Sequence, residues 1–102
     1  MKLPDTVRVL GREYMILREP DSTNMGSCHN ALGVINVTPE QDAFSAKDTL
    51  LHELMHAILH QQGYTHSYKK EEEFVRPLAT GTMTVLQDNP AFAKWLAAPL
   101  RK

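Results

Sequence analysis

One cysteine, Cys28, is all the thiol chemistry this chain of 102 residues holds. An internal disulfide is therefore excluded, and with it the disulfide-stapled type of small secreted scaffold. Cys28 itself reads as a small, half-buried residue. Long hydrophobic runs are missing too: no window approaches the ~20 apolar residues a membrane-spanning helix needs. The opening Met1-Lys2-Leu3-Pro4-Asp5 lacks the apolar core of a secretion signal. The expected location is thus the cytoplasm, with no membrane partner. Nor is there an excess of charge of one sign, since 11 Lys and Arg stand against 12 Asp and Glu for a formal net charge of -1. The basic residues are scattered, which removes the electrostatic basis for a nucleic-acid partner. Repeats, low-complexity tracts and Gly/Ser linkers are also absent, so residues 1–102 are expected to form a single domain.

What is present divides into a strand-rich front and a helical remainder, an α+β pattern. Val7–Leu10 and Glu13–Leu17 are short apolar and β-branched runs separated by Gly11, suited to a hairpin. A turn cluster, Pro20–Asn24, precedes a second pair of strand candidates, Gly26–His29 and Leu32–Val37. The expectation is a small N-terminal antiparallel sheet. A helix then starts either at the capping-box spacing Thr38-Pro39-Glu40-Gln41 or at Ser45–Asp48. Its apolar positions Leu50, Leu51, Leu54, Met55, Ile58 and Leu59 recur at helical spacing until Gly63, a C-terminal cap. Phe74, Val75, Leu78, Thr82, Val85 and Leu86 outline a second helix, with Pro77 predicting a kink or a start nearby. Asn89-Pro90 opens a short terminal helix through Trp95 that Pro99 stops, and Trp95, Leu96 and Leu100 are assigned to covering the core or meeting a neighbour.

The chemistry lies in His52-Glu53-Leu54-Met55-His56, an H-E-x-x-H inside the strongest helical pattern of the chain. Four residues advance a helix by little more than one turn, so both imidazoles project from one face and can reach one zinc ion. Glu53 is displaced about 100° around the helix from His52. It is off-axis for a ligand and placed to act as the general base on a zinc-activated water. A catalytic zinc takes three protein ligands and keeps one position open. His60 lies ~12 Å beyond His52 along the axis, too far to be the third, and reads as a polar residue near the helix end. The better source is Glu71-Glu72-Glu73 on the second helix. Glu72 stands three residues before the apolar Val75 and is favoured, Glu71 follows closely, and Glu73 points to water.

In these features the chain resembles the gluzincins, zinc peptidases in which H-E-x-x-H on one helix is joined by a glutamate from a following helix. In its short form it looks like the minimal zincin-like proteins found in phages and prophages. The similar stretches are Thr49–Ala57 and Glu71–Val75, continuing to Leu86–Pro90. The resemblance places the ligand glutamate at Glu72, ahead of Phe74 and Val75. It implies His52, His56 and Glu72 as Zn2+ ligands, Glu53 as the catalytic residue, and an oxyanion-stabilising group drawn from Tyr64, His66 and Tyr68. The function it implies is zinc-dependent hydrolysis of a peptide or protein substrate in the cytoplasm, a host's if the chain is phage-encoded. The competing function is a catalytically silent zinc domain serving as a structural, regulatory or phage assembly factor. Glu53 argues against it, because a structural site has no use for a base beside the metal.

Overall fold

A computed structural model describes residues 2–64 and 67–100. Among these, strands β1 (Thr6–Val9), β2 (Arg12–Leu17), β3 (Gly26–His29) and β4 (Val34–Val37) precede helices α1 (Ala43–Gln61), α2 (Tyr68–Asp88) and α3 (Pro90–Ala97). The class is α+β, as expected, with the strands in one sheet of order β1-β2-β4-β3.

β1 and β2 form the predicted hairpin, its two-residue turn made by Leu10 and Gly11, both at positive φ. A turn with positive φ at both central positions matches the right-handed twist of paired strands. β3 and β4 also pair antiparallel, from Gly26 opposite Val37 to His29 opposite Val34. The expected wholly antiparallel sheet is corrected at the centre, where β2 and β4 run parallel with Ile16 opposite Ile35. The reason lies just after β2. Arg18 Nε donates to the Val37 carbonyl at 2.8 Å, Glu19 N donates to Asn36 Oδ1 at 2.7 Å, and Asn36 Nδ2 returns a bond to the Glu19 carbonyl. These side-chain bonds hold the chain alongside β4 as it leaves the sheet, and β3 is laid on the far side as an edge.

Helix α1 starts at neither expected place. Glu40 has φ 68, which breaks the path from Thr38, so Thr38–Gln41 forms a turn. There Gln41 Nε2 donates to the Thr38 and Met25 carbonyls. Asp42 is the N-cap, its carboxylate accepting from Ser45 N at 2.8 Å. The helix ends at Gln61 ahead of Gly63, whose φ of 77 suits the residue just past a helix end. Toward the sheet α1 turns Ala46, Leu50 and Ala57, which close a core with Leu3, Val9, Tyr14, Ile16, Ile35 and Val37. Tyr14, fully buried, keeps its hydroxyl satisfied by donating to Asn30 Oδ1 at 2.8 Å.

Helix α2 packs on the other face of α1, not on the sheet. It is capped by Ser67, whose hydroxyl accepts from Lys70 N. It does not start near Pro77 but runs through it. Pro77 and Glu73, whose carbonyl loses its helical partner, are both exposed, so the lost bond falls on the solvent side of the helix. Its buried stripe is Val75, Ala79 and Met83, while the expected Leu78 and Val85 are exposed. Among the described elements helix α3 meets only α2, and it buries no residue, so Trp95, Leu96 and Leu100 do not cover the core. No described helix is long and apolar enough to cross a membrane.

Candidate metal centre

His52 and His56 are one turn apart on α1, and both rings face α2 where its first turns carry Glu71 and Glu72. The Nε2 atoms of the two histidines are 3.3 Å apart, and Glu72 Oε1 lies 2.9 Å from His52 Nε2 and 2.8 Å from His56 Nε2. His52, His56 and Glu72 are thus brought together into a group able to hold a metal ion. Tetrahedral bonds of 2.0–2.1 Å would set ligand atoms ~3.3 Å apart, close to the spacing seen.

The donor chemistry fits a cation as well as the spacing does. His56 Nδ1 is engaged by the Glu71 carboxylate on the side away from the centre. A neutral imidazole carries one N–H, so donation to Glu71 leaves His56 Nε2 with only a lone pair. That lone pair faces the carboxylate oxygen of Glu72 and the second imidazole nitrogen. Acceptors so close repel unless a proton or a metal ion lies among them. Glu71 therefore occupies the back of His56 rather than the centre, and Glu73 is exposed, as its place in the acidic run implied. His60 is likewise exposed at the end of α1. When protons rather than a metal fill the centre, burial works against ionisation of Glu72, but a hydrogen bond from protonated His56 and the charges of His52 and His56 hold its carboxyl below the ordinary value.

Glu53 is buried, at 6% exposure, where α1 meets the edge strand. A Cβ on Gly26 would come within 2.5 Å of Thr49 Cγ2, 3.0 Å of the Asn36 carbonyl and 3.3 Å of Glu53 Oε2. Only glycine lets β3 approach this closely. Burial pushes the Glu53 carboxyl up to about 7, with His56 opposing and the negative charge of Glu72 adding to the rise. Cys28, half-buried as expected, has its thiol pushed up to about 12 by burial and by the charges of Glu53 and Glu71, against a smaller opposing effect of Arg12. It lies outside the ligand group.

Two open clefts of about 300 and 200 Å3 meet at this centre. Glu53, Gly26, Asn24 and Tyr68 line both. His52, Glu72 and Arg76 belong to the larger, His56 and Glu71 to the smaller. Comparison with protein-family models, with curated proteins and with solved structures found no match. The reading of the site therefore rests on its own geometry.

Of the three candidates for the oxyanion-stabilising group, Tyr68 is the one beside the centre, its ring stacked on that of His56 with centroids 5.2 Å apart. Tyr64 packs edge-on against Phe74 and lines neither cleft. His66 lies outside the described residues. Desolvation and the charges of Glu72 and Glu53 raise the Tyr68 phenol above its ordinary value, which keeps its proton in place at neutral pH. Three contributors went unread in the sequence: Gly26, Glu71 as the partner of His56, and Arg76, whose Nη2 donates to Glu72 Oε2 at 2.9 Å. The i,i+4 spacing of Glu72 and Arg76 was an available signal. Gly26 had none, because its role depends on a helix that follows it in the chain.

Proposed function

We propose that this chain is a minimal zinc peptidase of the gluzincin type, with His52, His56 and Glu72 as ligands and Glu53 as general base. The observation that carries the reading is the convergence of two imidazole nitrogens and a carboxylate oxygen within 3.3 Å of one another where two clefts meet, both of them lined by the buried carboxylate of Glu53. A tetrahedral set of two imidazoles and one carboxylate suits zinc. Zinc, when bound, would supply Lewis acidity, making water a better acid and a carbonyl a better electrophile.

The chain's own residues account for the rest. An extended peptide has a place beside β3, an edge strand whose outer side is unpaired in the sheet. Gly26 and Asn24 line both clefts, so a peptide along that edge passes the centre. Glu53 accepts the proton of the attacking water and delivers it to the leaving amine. Burial raises its carboxyl and so favours its holding the proton between the two halves of that transfer, while the charge of bound zinc would oppose the rise and favour its acting as a base. Tyr68 donates to the oxygen that becomes negative as the carbonyl carbon turns tetrahedral.

The experiment is release of fluorescence from quenched casein by wild type and Glu53→Gln, with the zinc content of both preparations measured. Turnover should fall by about two to four orders of magnitude with zinc retained, the usual contribution of a positioned acid–base group. Equal turnover would remove Glu53 from the mechanism. Zinc without turnover in the wild type would favour a metal-holding structural or regulatory domain.

A further inference from the structure

The two oxygens of the Glu72 carboxylate have different partners. Oε1 meets both histidine rings, and Oε2 accepts from the Arg76 guanidinium at 2.9 Å. Arg76 stands one turn further along α2, is 71% exposed, and lines the larger cleft. We propose that Arg76 is a positioning residue that limits Glu72 to one-oxygen ligation and so keeps a coordination position open for the reaction. This rests on the reading that His52, His56 and Glu72 hold a metal.

A carboxylate facing a divalent cation can bind through one oxygen or both. Two-oxygen binding by Glu72 would occupy space that water or a substrate carbonyl must use, and a catalytic site depends on that vacancy. A charge-assisted hydrogen bond on Oε2 competes with the cation for that oxygen. The guanidinium also approaches along the helix surface, from the next turn, so it holds the carboxylate plane without entering the ligand group. Lining the cleft, it leaves most of its five N–H donors uncommitted by this contact. The pair adds little to folding, because an exposed i,i+4 ion pair is weak. Its geometry thus serves the carboxylate more than the helix.

The test uses the full chain stripped of metal and reloaded with Co2+, whose visible absorption is intense in four-coordinate sites and weak in five- or six-coordinate ones. Wild type, Arg76→Met and Arg76→Lys are compared, with circular dichroism confirming the fold of each. Wild type should show the intense bands. Arg76→Met should lose most of that intensity while still binding one Co2+ per chain, and Arg76→Lys should recover it, since an ammonium can still donate to Oε2. An Arg76→Met spectrum identical to wild type overturns the proposal. So does loss of Co2+ from that variant, which would mean that Arg76 holds Glu72 at the metal rather than restricting it. A wild type that binds no Co2+ fails at the earlier step, the metal reading itself, and is told apart by its lack of any bound ion.

Discussion

Toward the sheet, α1 turns Ala46, Leu50 and Ala57 to Tyr14, Ile16, Ile35 and Val37, while toward α2 it turns His52 and His56 to Glu71 and Glu72. The first face is apolar and closed, with Ile35, Val37 and Ala57 wholly shielded from water. The second is polar, open to two clefts, and among the described residues of α2 only Val75, Ala79 and Met83 are buried. One helix therefore joins a region that supplies stability to a region that concentrates like-charged and titratable groups at a cost in stability. In a chain this short the sheet-side core must make up the difference.

Metal removal separates the two regions most sharply. A chelator should abolish turnover while far-UV circular dichroism stays close to that of the loaded protein, because none of His52, His56 and Glu72 belongs to the sheet-side core. Global unfolding on chelation would mean that the seam, not the sheet, holds the fold. The converse cut is Ile35→Ala, expected to cost about 2–5 kcal/mol in denaturant unfolding, as large-to-small core changes do. Zinc stoichiometry should be unaltered under conditions where the variant is folded.

A smaller effect probes the layer behind the ligands. Glu71→Gln removes the charge behind His56 and should weaken zinc binding by about 10- to 100-fold in a chelator competition titration. An unchanged affinity would leave Glu71 a bystander. Where the two regions touch, Gly26→Ala forces β3 off α1 and should destabilise by about 1–3 kcal/mol, a typical overpacking cost. Its effect on turnover should exceed its effect on zinc content, since the displaced atoms face Glu53 and not the ligands.

The sequence carried the parts of this molecule that depend on local spacing. His52 and His56 at i and i+4, Gly63 at the helix end and the hairpin break at Gly11 are each settled within a few residues, although Leu10, expected in the strand, belongs to the turn. Glu72 was legible because its offset from Val75 fixed its side of α2, and Val75 is indeed buried. What was missed depends on contacts between distant segments. The parallel pairing of β2 with β4 follows from Arg18 and Glu19 reaching Val37 and Asn36, which no periodicity reports. The Asp42 cap was hidden by the capping-box look of Thr38–Gln41, which the positive φ at Glu40 breaks. In α2 the buried positions include Ala79, whose small side chain gives a weak apolar signal, so larger neighbours at Leu78 and Val85 widened the expected stripe onto an exposed side of the helix.

Whether α1 and α2 jointly hold a metal through His52, His56 and Glu72 is decided by the zinc content, measured by elemental analysis, of wild type and Glu72→Ala purified without a metal-chelating tag. One zinc per chain in the wild type and a marked loss in the variant is the expected result. A wild type free of zinc, or a variant that keeps its full complement, would contradict it.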